Sequence, residues 1–448
     1  MTRARFVTGS TMRHVVVMTS TGALGLMAMF LVDLADLFFL SLLNQTEVTA
    51  AIGYAGTIVF ANLSISLGAG IAAAALVARN IGAGQVERAR DFATSSLVFA
   101  LAISTAVTAT IAVTSHWLLD ALGAAGEAKH LAQLFIWTLT PGYVLLAGAV
   151  CCSFILRGLG DPRRAMYITL SAAGVTAVVD PLFIFGFGWG IQGAAAANVL
   201  ADVVSFAIGL HGVGRVHRVL QPLRLAAVRR DLPAINAIAV PAMLTQLATP
   251  FANAYVTRAV APFGDEAVAA SAVIGRLVPV AFGIIFSLSG SVGPIIGQNY
   301  GAGKFDRVRQ TLVDGLKFSA VYTLATSALL YVFRHEIAET FRASGRTIDL
   351  VVFFCTFIAI SWAFAGAQFV SNAAFNNLGR PNLSTWFNWG KATLGTIPFA
   401  LVGARYAGPE GVLAGTAIGS VIFGVASVYA AFRIIGQIST THGNGSGQ

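Results

Sequence analysis

Long apolar stretches, separated by short polar or Gly/Pro-marked breaks, run the whole length of the chain. Read between those breaks, the pattern predicts twelve helices at about 14–43, 51–79, 91–115, 132–156, 164–186, 192–214, 234–260, 267–298, 313–333, 350–376, 384–404 and 410–435. Each approaches or exceeds the roughly 20 residues with which a helix crosses the hydrocarbon core. The strands of a membrane barrel would instead alternate apolar and polar positions over about ten residues, and that alternation is absent. The first stretch follows Arg3, Arg5 and Arg13 but is too long for a signal-peptide core, and no small-residue cleavage site follows it. It is expected to remain as a span.

Composition agrees with a lipid environment. Hydrophobic residues make up 56% of 448 positions and charged residues 10%, against roughly 25% charged in a soluble domain. With the amino terminus placed inside, nineteen of the 28 Lys and Arg fall in inside loops. Six (Lys129, Arg258, Arg334, Arg342, Arg346 and Arg405) fall outside, and Arg276, Lys317 and Lys391 lie within spans. That bias predicts a multi-pass inner-membrane protein with both termini cytoplasmic. It also accounts for the net charge of +9 without a nucleic-acid partner. Cys151, Cys152 and Cys355 sit in apolar runs and have neither disulfide nor metal-site spacing.

Three motifs recur in order at a constant offset of 219 residues. Glu47-Val48-Thr49-Ala50-Ala51 returns as Glu266-Ala267-Val268-Ala269-Ala270. Asn80-Ile81-Gly82-Ala83-Gly84, with Glu87, Arg88 and Arg90, returns as Asn299-Tyr300-Gly301-Ala302-Gly303 with Asp306, Arg307 and Arg309. Leu159-Gly160-Asp161-Pro162 returns as Leu378-Gly379-Arg380-Pro381. The chain is therefore expected to be two six-helix lobes, 1–214 and 234–438, joined by a basic linker at 215–233 and followed by a disordered tail at 439–448. Six spans return the chain to its starting side, so the lobes form a parallel repeat about an axis along the membrane normal, where a substrate path is expected. The glycine pairs end helices and turn the chain. They neither follow a strand nor precede a Walker Lys-Ser/Thr, so they are not phosphate cradles, and an ion gradient is the expected energy source.

Four acids fall well inside predicted spans, away from their ends: Asp33, Asp36, Asp180 and Asp202. An ionisable group at that depth costs at least about 2.5–3.5 kcal/mol and should face a polar cavity. Asp33 and Asp36, three residues apart, share a helix face, and like charges that close raise one pKa. At the repeat offset Asp36 maps to Tyr255, Asp33 to Ala252 and Asp180 to Phe399, so none is duplicated. Fold maintenance should be common to both halves, whereas ion coupling need not be. Thr176 lies one turn before Asp180, and Asn198 and then Asp202 lie on the sixth span. They either complete a polar cluster or bond within their own helices. Lys317 near a helix end is expected to snorkel. Arg276 and Lys391 lie deeper, and either repel cations or pair with acids elsewhere.

These motifs resemble the multidrug and toxic compound extrusion (MATE) family of cation-coupled efflux transporters. Three elements carry the likeness. The first runs from Val32-Asp33-Leu34-Ala35-Asp36 to Thr49-Ala50-Ala51-Ile52-Gly53. The second is the pair beginning at Arg79-Asn80 and Gln298-Asn299, and the third joins Leu156–Pro162 with Asp180-Pro181-Leu182-Phe183-Ile184-Phe185-Gly186. The last is similar to the DinF-like branch, which places coupling in the amino-terminal lobe. The resemblance implies an all-α polytopic membrane protein, with twelve transmembrane helices in two parallel-repeat lobes of the MATE/MOP-type fold. It implies a monomeric antiporter rather than an enzyme, exporting lipophilic or cationic small molecules in exchange for protons by alternating access, with no cofactor. Asp36 takes the coupling position with Asp180, and Asp33 sits one turn before Asp36. The cavity would lie between the lobes, with Phe251, Tyr255, Phe282, Phe286 and Arg276 as lining candidates. Carboxylate, hydroxyl and amide oxygens also suit Na⁺, so a Na⁺-coupled drug antiporter is one alternative, and a lipid-linked precursor flippase of the same superfamily is another. The missing carboxylate in the seventh, eighth and tenth spans departs from the sodium-coupled branch. Gly22 stands where the seventh span has Pro241, so a proline-driven kink of the first helix is not expected.

Overall fold

The computed structural model describes residues 4–41, 46–340 and 345–443, except for the side chains at 33, 34, 36–38, 40, 41, 46, 47, 49, 57, 61 and 441–443. Fourteen α-helices are found among them: α1 Thr11–Ser41, α2 Thr46–Gly82, α3 Val86–Ala121, α4 Gly126–Gly158, α5 Pro162–Pro181, α6 Gly190–Leu210, α7 Leu225–Val260, α8 Asp265–Gly301, α9 Phe305–Val332, α10 Arg334–Thr340, α11 Arg346–Phe353, α12 Trp362–Asn377, α13 Pro381–Gly390 and α14 Ile397–Gly443. Several continue through π-helical turns, at Leu182–Gly186, His211–Val216, Phe354–Ile358 and Lys391–Gly395. Eleven continuous stretches are long and apolar enough to span a bilayer, and the last, Pro381–Thr440, is 60 residues long. It folds back on itself at Ala407 and Gly408, where φ of +58° at Gly408 breaks the helix before Pro409. Two legs there make twelve crossings.

The repeated glycines adopt matching geometry. Gly84 and Gly303 have φ of +74° and +69°, and Gly160 and Gly379 have +82° and +80°. Only glycine enters this left-handed region freely, which is why the same residue ends the same helix twice. Asp161 caps α5 by accepting from the Arg164 backbone N–H at 3.2 Å, with Pro162 in the first turn. Its carboxylate also meets His217 Nε2 at 2.9 Å. Burial pushes the Asp161 carboxyl up, but the hydrogen bonds from His217 and Arg164 outweigh it and hold the group well below the usual carboxylate range.

Helix runs into two segments expected to be a linker and a tail. Helix α7 begins at Leu225, so of the linker at 215–233 only residues 217–224 are non-helical; α14 continues through Gly443, into the stretch expected to be a tail. Extending a helix already fixed by packing adds one hydrogen bond per residue, and Leu225-Ala-Ala-Val-Arg-Arg has good helix formers. Pro233 therefore lies inside a helix rather than marking a loop.

The chain packs into two units that do not coincide with lobes cut at 214 and 234. One holds Leu24–Met243; the other holds Ala4–Ala23 together with Leu244 onward. Both divisions fall in mid-helix, in α1 and α7, and they match the 219-residue offset to within one residue. The core of the first unit gathers Val48, Ile58, Ile111, Leu119, Phe135 and Ile136, and that of the second Phe282, Ile285, Leu288, Val292, Val370 and Phe375.

A repeated arginine explains the divided helices. In the second unit Arg307 donates to Asn299 Oδ1 (2.9 Å) and to the carbonyls of Phe6 (2.8 Å), Thr8 (3.2 Å) and Gly9 (2.9 Å), just ahead of α1. Lys304 reaches the Val7 carbonyl, Gln298 accepts from the Phe6 N–H, and Thr11 donates to Asp314. In the first unit its counterpart Arg88 donates to Asp231 (3.1 Å), near the start of α7. Ser95 and Arg230 bond the same carboxylate, Arg230 also bonds Asp91, and Gln221 bonds Thr94 and Glu87. Each half's second loop thus holds the lead-in to the first helix of the other half.

Close helix approach elsewhere depends on glycine. A Cβ on Gly415 would lie 2.2 Å from the Phe399 carbonyl oxygen, one on Gly403 1.9 Å from Gly411 O, and one on Gly419 1.7 Å from Gly395 O. The Gly411, Gly415 and Gly419 row is therefore the seam of the α14 hairpin.

Arg307→Ala leaves the Phe6, Thr8 and Gly9 carbonyls without their charged donor. Since hydrogen bonds to charged groups contribute about 1.5–3 kcal/mol, thermal unfolding in detergent should show the melting temperature lowered by several degrees. An unchanged melting temperature would remove the clamp's structural role.

Candidate functional site

In the first unit, α5 ends in a fully buried acid. Asp180 has no solvent exposure, and Pro181 after it has no N–H to return to the Ala177 carbonyl, so the regular helix gives way to the π-helical turn Leu182–Gly186. Gly193 of α6 allows that turn close, since a Cβ there would lie 2.7 Å from the Phe183 carbonyl. Phe39 of α1 meets Phe185 edge-on at 6.3 Å.

The other polar residues expected at this site divide. Thr176 is buried one turn before Asp180 and donates to the Ala172 carbonyl at 3.1 Å; Asn198 donates to the Ala194 carbonyl at 3.1 Å. Both use a donor within their own helix, leaving Thr Oγ1 and Asn Oδ1 lone pairs as acceptors. Asp202 turns to α4, where its Oδ2 lies 3.0 Å from the Cβ position of Gly142, next to the buried Tyr143. It makes no ion pair among the described residues. Asp33 and Asp36 fall on the stretch of α1 whose side chains lie outside the described residues. No group of three His, Cys, Asp or Glu suited to a metal occurs among the described residues.

The second unit encloses a cavity of about 410 Å³, walled by α7, α8, the 354–362 segment, α12, the α13 end and α14. Its aromatic side is Phe286, Phe354, Trp362 and Phe369; its polar side includes Asn253, Gln368, Asn388 and Lys391. The α8 backbone departs from helical geometry at Phe282 (φ −113°, ψ 17°), three residues after Pro279. There the Phe282 ring stacks on Trp362 at 5.1 Å and 7°, and Phe286 meets the same indole at 5.6 Å.

Of the five side chains expected to line a cavity between the lobes, Phe286 lines this one within the second unit. Phe282 is fully buried behind Trp362, and Phe251 leans against Trp389 at 5.4 Å. Tyr255 packs on the core, because the cavity face of α7 is formed by Thr249, Ala252, Asn253 and Val256. Arg276 is exposed on α8 outside the lining. Trp362, Gln368 and Lys391 were not among the lining candidates. For Lys391 a sequence signal existed, since position 172, its partner at the repeat offset, is Ala.

Comparison with known proteins supplies context for this geometry. The MatE family model matches residues 23–182 and 241–402, one block per half. The chain is 29% identical to an FAD transporter of Shewanella oneidensis over 430 residues, 95% of each chain. It is 22% identical to the multidrug export protein MepA of Staphylococcus aureus over 364 residues, 80% of this chain and 79% of the relative. A crystal structure of a mutant of the Vibrio cholerae MATE transporter VcmN superposes with a TM-score of 0.90 at 24% identity, covering 96% of this chain and 97% of the other.

The different placements of two phenylalanines on α8 can be measured. Phe282→Ala empties a fully buried site, which costs about 3–5 kcal/mol, and should lower the melting temperature by far more than Phe286→Ala on the cavity wall. Equal losses would mean that Phe286 is core and the cavity is closed there.

Proposed function

The chain belongs to the MatE family and is a multi-pass membrane transporter of small molecules; on that premise we propose that it is a secondary active exporter driven by protons, with Asp180 as a coupling acid. The observation that carries this is the fully buried Asp180 carboxyl inside a membrane-spanning helix. A charge there is costly, and taking up a proton removes the cost, so protonation and local packing are coupled. Pro181 and the π-helical turn beside it supply backbone able to change its hydrogen bonding when the charge changes. Thr176, one turn before Asp180, and Asn198 on α6 keep acceptor lone pairs, and Asp33 and Asp36 join this set by the family resemblance. Asp202, set over Gly142 against α4, is a separate acid of the same unit. The basic-residue bias supports an inner-membrane location with both termini inside.

The charge of the second-unit cavity favours a second reading of the substrate. Multidrug export is what the name of MepA describes, whereas a relative aligned over 95% of both chains is an FAD transporter. A cavity whose one charged lining residue is Lys391 suits an aromatic anion better than a lipophilic cation.

Proteoliposomes test the coupling. An imposed pH gradient should drive substrate movement in the wild type, and Asp180→Asn should reduce it tenfold or more while keeping its melting temperature. Undiminished pH-driven transport in Asp180→Asn sinks the assignment, and transport driven by a Na⁺ gradient alone sinks the proton reading.

A further inference from the structure

We propose that the second-unit cavity is a binding site for an aromatic organic anion, with Lys391 holding its carboxylate or phosphate and the Trp362, Phe286 and Phe369 wall holding its ring system. The inference rests on the transporter reading above and names the substrate class.

Three observations carry it. The first is charge. Lys391 is the one charged side chain among the residues lining the cavity, and no acid is within ion-pair distance of it among the described residues. Three acids of this unit are engaged elsewhere: Glu266 with the Arg346 N–H, Glu410 with the Arg346 guanidinium, and Asp314 with Thr11 and Gln310. A counter-charge stabilises an ammonium within a membrane span, and none lies beside this one among the described residues.

The second is an unmet donor. Gln368 is 2% exposed and lines the cavity, yet its Nε2 has no hydrogen-bond partner among the described residues. A buried amide N–H without an acceptor costs about 1–3 kcal/mol, which a ligand oxygen recovers on binding. Lys391 Nζ and Gln368 Nε2 are both donors, so the complementary group is rich in acceptors. Several nearby hydroxyls direct their protons elsewhere: Thr257 to Asn253 O, Thr396 to Lys391 O, Thr416 to Leu413 O and Ser420 to Thr416 O. They leave acceptor lone pairs for polar N–H or O–H groups on the rest of the ligand.

The third is shape. Phe282 stacks on Trp362 and Phe286 packs against its edge, so the indole is locked before any ligand arrives. Phe286 and Phe369 extend that wall, their rings 5.7 Å apart. A rigid aromatic wall loses little side-chain freedom on binding a planar ring. A volume of about 410 Å³ lies within the range of about 300–1,000 Å³ typical of drug-sized ligands. The π-helical turn that begins at Lys391 displaces the helix at the point where the charge enters the wall.

The test is equilibrium binding to the purified full chain in detergent, with riboflavin 5′-phosphate, riboflavin and ribose 5-phosphate as probes. The first shares its ring with the second and its phosphate with the third. Riboflavin 5′-phosphate should bind at least tenfold more tightly than either. Lys391→Gln should bring it level with riboflavin while leaving riboflavin unchanged, and Lys391→Arg should keep the preference. Gln368→Met, a milder change, should weaken the phosphate probe selectively. The proposal is overturned if wild type binds riboflavin and its phosphate within twofold, or if Lys391→Gln keeps the preference. It is likewise overturned if phosphatidic acid in mixed micelles displaces the probe more tightly than riboflavin 5′-phosphate binds, which would assign Lys391 to a lipid headgroup. No gradient enters this assay, so failed proton coupling leaves its outcome intact, and pH-driven transport without anion preference removes only the present proposal.

Discussion

The contact on which the rest of the architecture depends is a guanidinium at the end of a helical bundle, made twice. Lipid removes the hydrophobic drive that holds helices together in water, so membrane helices rely on close packing and on polar contacts where backbone groups are left over. Ahead of α1 and at the start of α7 the chain leaves such groups, and Arg307 and Arg88 collect them. Because each arginine belongs to one half and the segment it holds belongs to the other, the first helix of each half begins in one unit and ends in the other. Helices α1 and α7 are then the two that run through both units. They differ there. Helix α7 has Pro241 near its crossing point, while α1 has Gly22, where an added Cβ would lie 2.3 Å from Ser287 Oγ. The α8 serines at 287 and 291 bond the Thr19 and Met18 carbonyls beside that glycine, so α1 is braced from outside.

Much of this was legible in the sequence, and the parts that were not share a cause. The spans followed from apolar run length, and the positions of the turns from glycines that need positive φ at Gly84, Gly160, Gly303 and Gly379. The clamps were hidden because the receiving groups are the backbone carbonyls of Phe6, Thr8 and Gly9, which leave no trace in residue type. Arg88 and Arg307 accordingly read as turn and sidedness signals. The linker and the carboxyl-terminal stretch read as irregular because Pro233, His442 and the glycines near the end mark loops in isolation, yet helices already fixed by packing run into both.

Site residues divided by whether rarity or orientation identified them. An acid in a span is rare enough to stand out, and Asp180 proved fully buried. Aromatic residues are not rare here, with 31 Phe in the chain, and periodicity cannot say which face of a doubly covered helix meets a cavity. Phe286 and Phe282 lie one turn apart on α8, yet one lines the cavity and the other is core, because the backbone leaves helical geometry at Phe282. Lys391 was visible by the same reasoning that singled out Asp180, namely that the repeat does not duplicate it.

That shared property joins the two units chemically. Pro162 and Pro381 occupy equivalent positions, so α5 and α13 are the same element of the repeat. Each leads into a π-helical turn, Leu182–Gly186 and Lys391–Gly395. Each helix with its turn also carries an ionisable residue that the repeat does not duplicate, Asp180 against Phe399 and Lys391 against Ala172. A duplicated scaffold needs neither charge, since each half does without the other's, and a charge in a span carries a cost of at least about 2.5–3.5 kcal/mol. The division of roles proposed above gives both charges a reason to persist. A carboxyl that relieves its own cost by taking a proton suits coupling. An ammonium whose cost an anion relieves suits binding cargo. The same helix in the two units would then perform the two exchanges a coupled exporter requires.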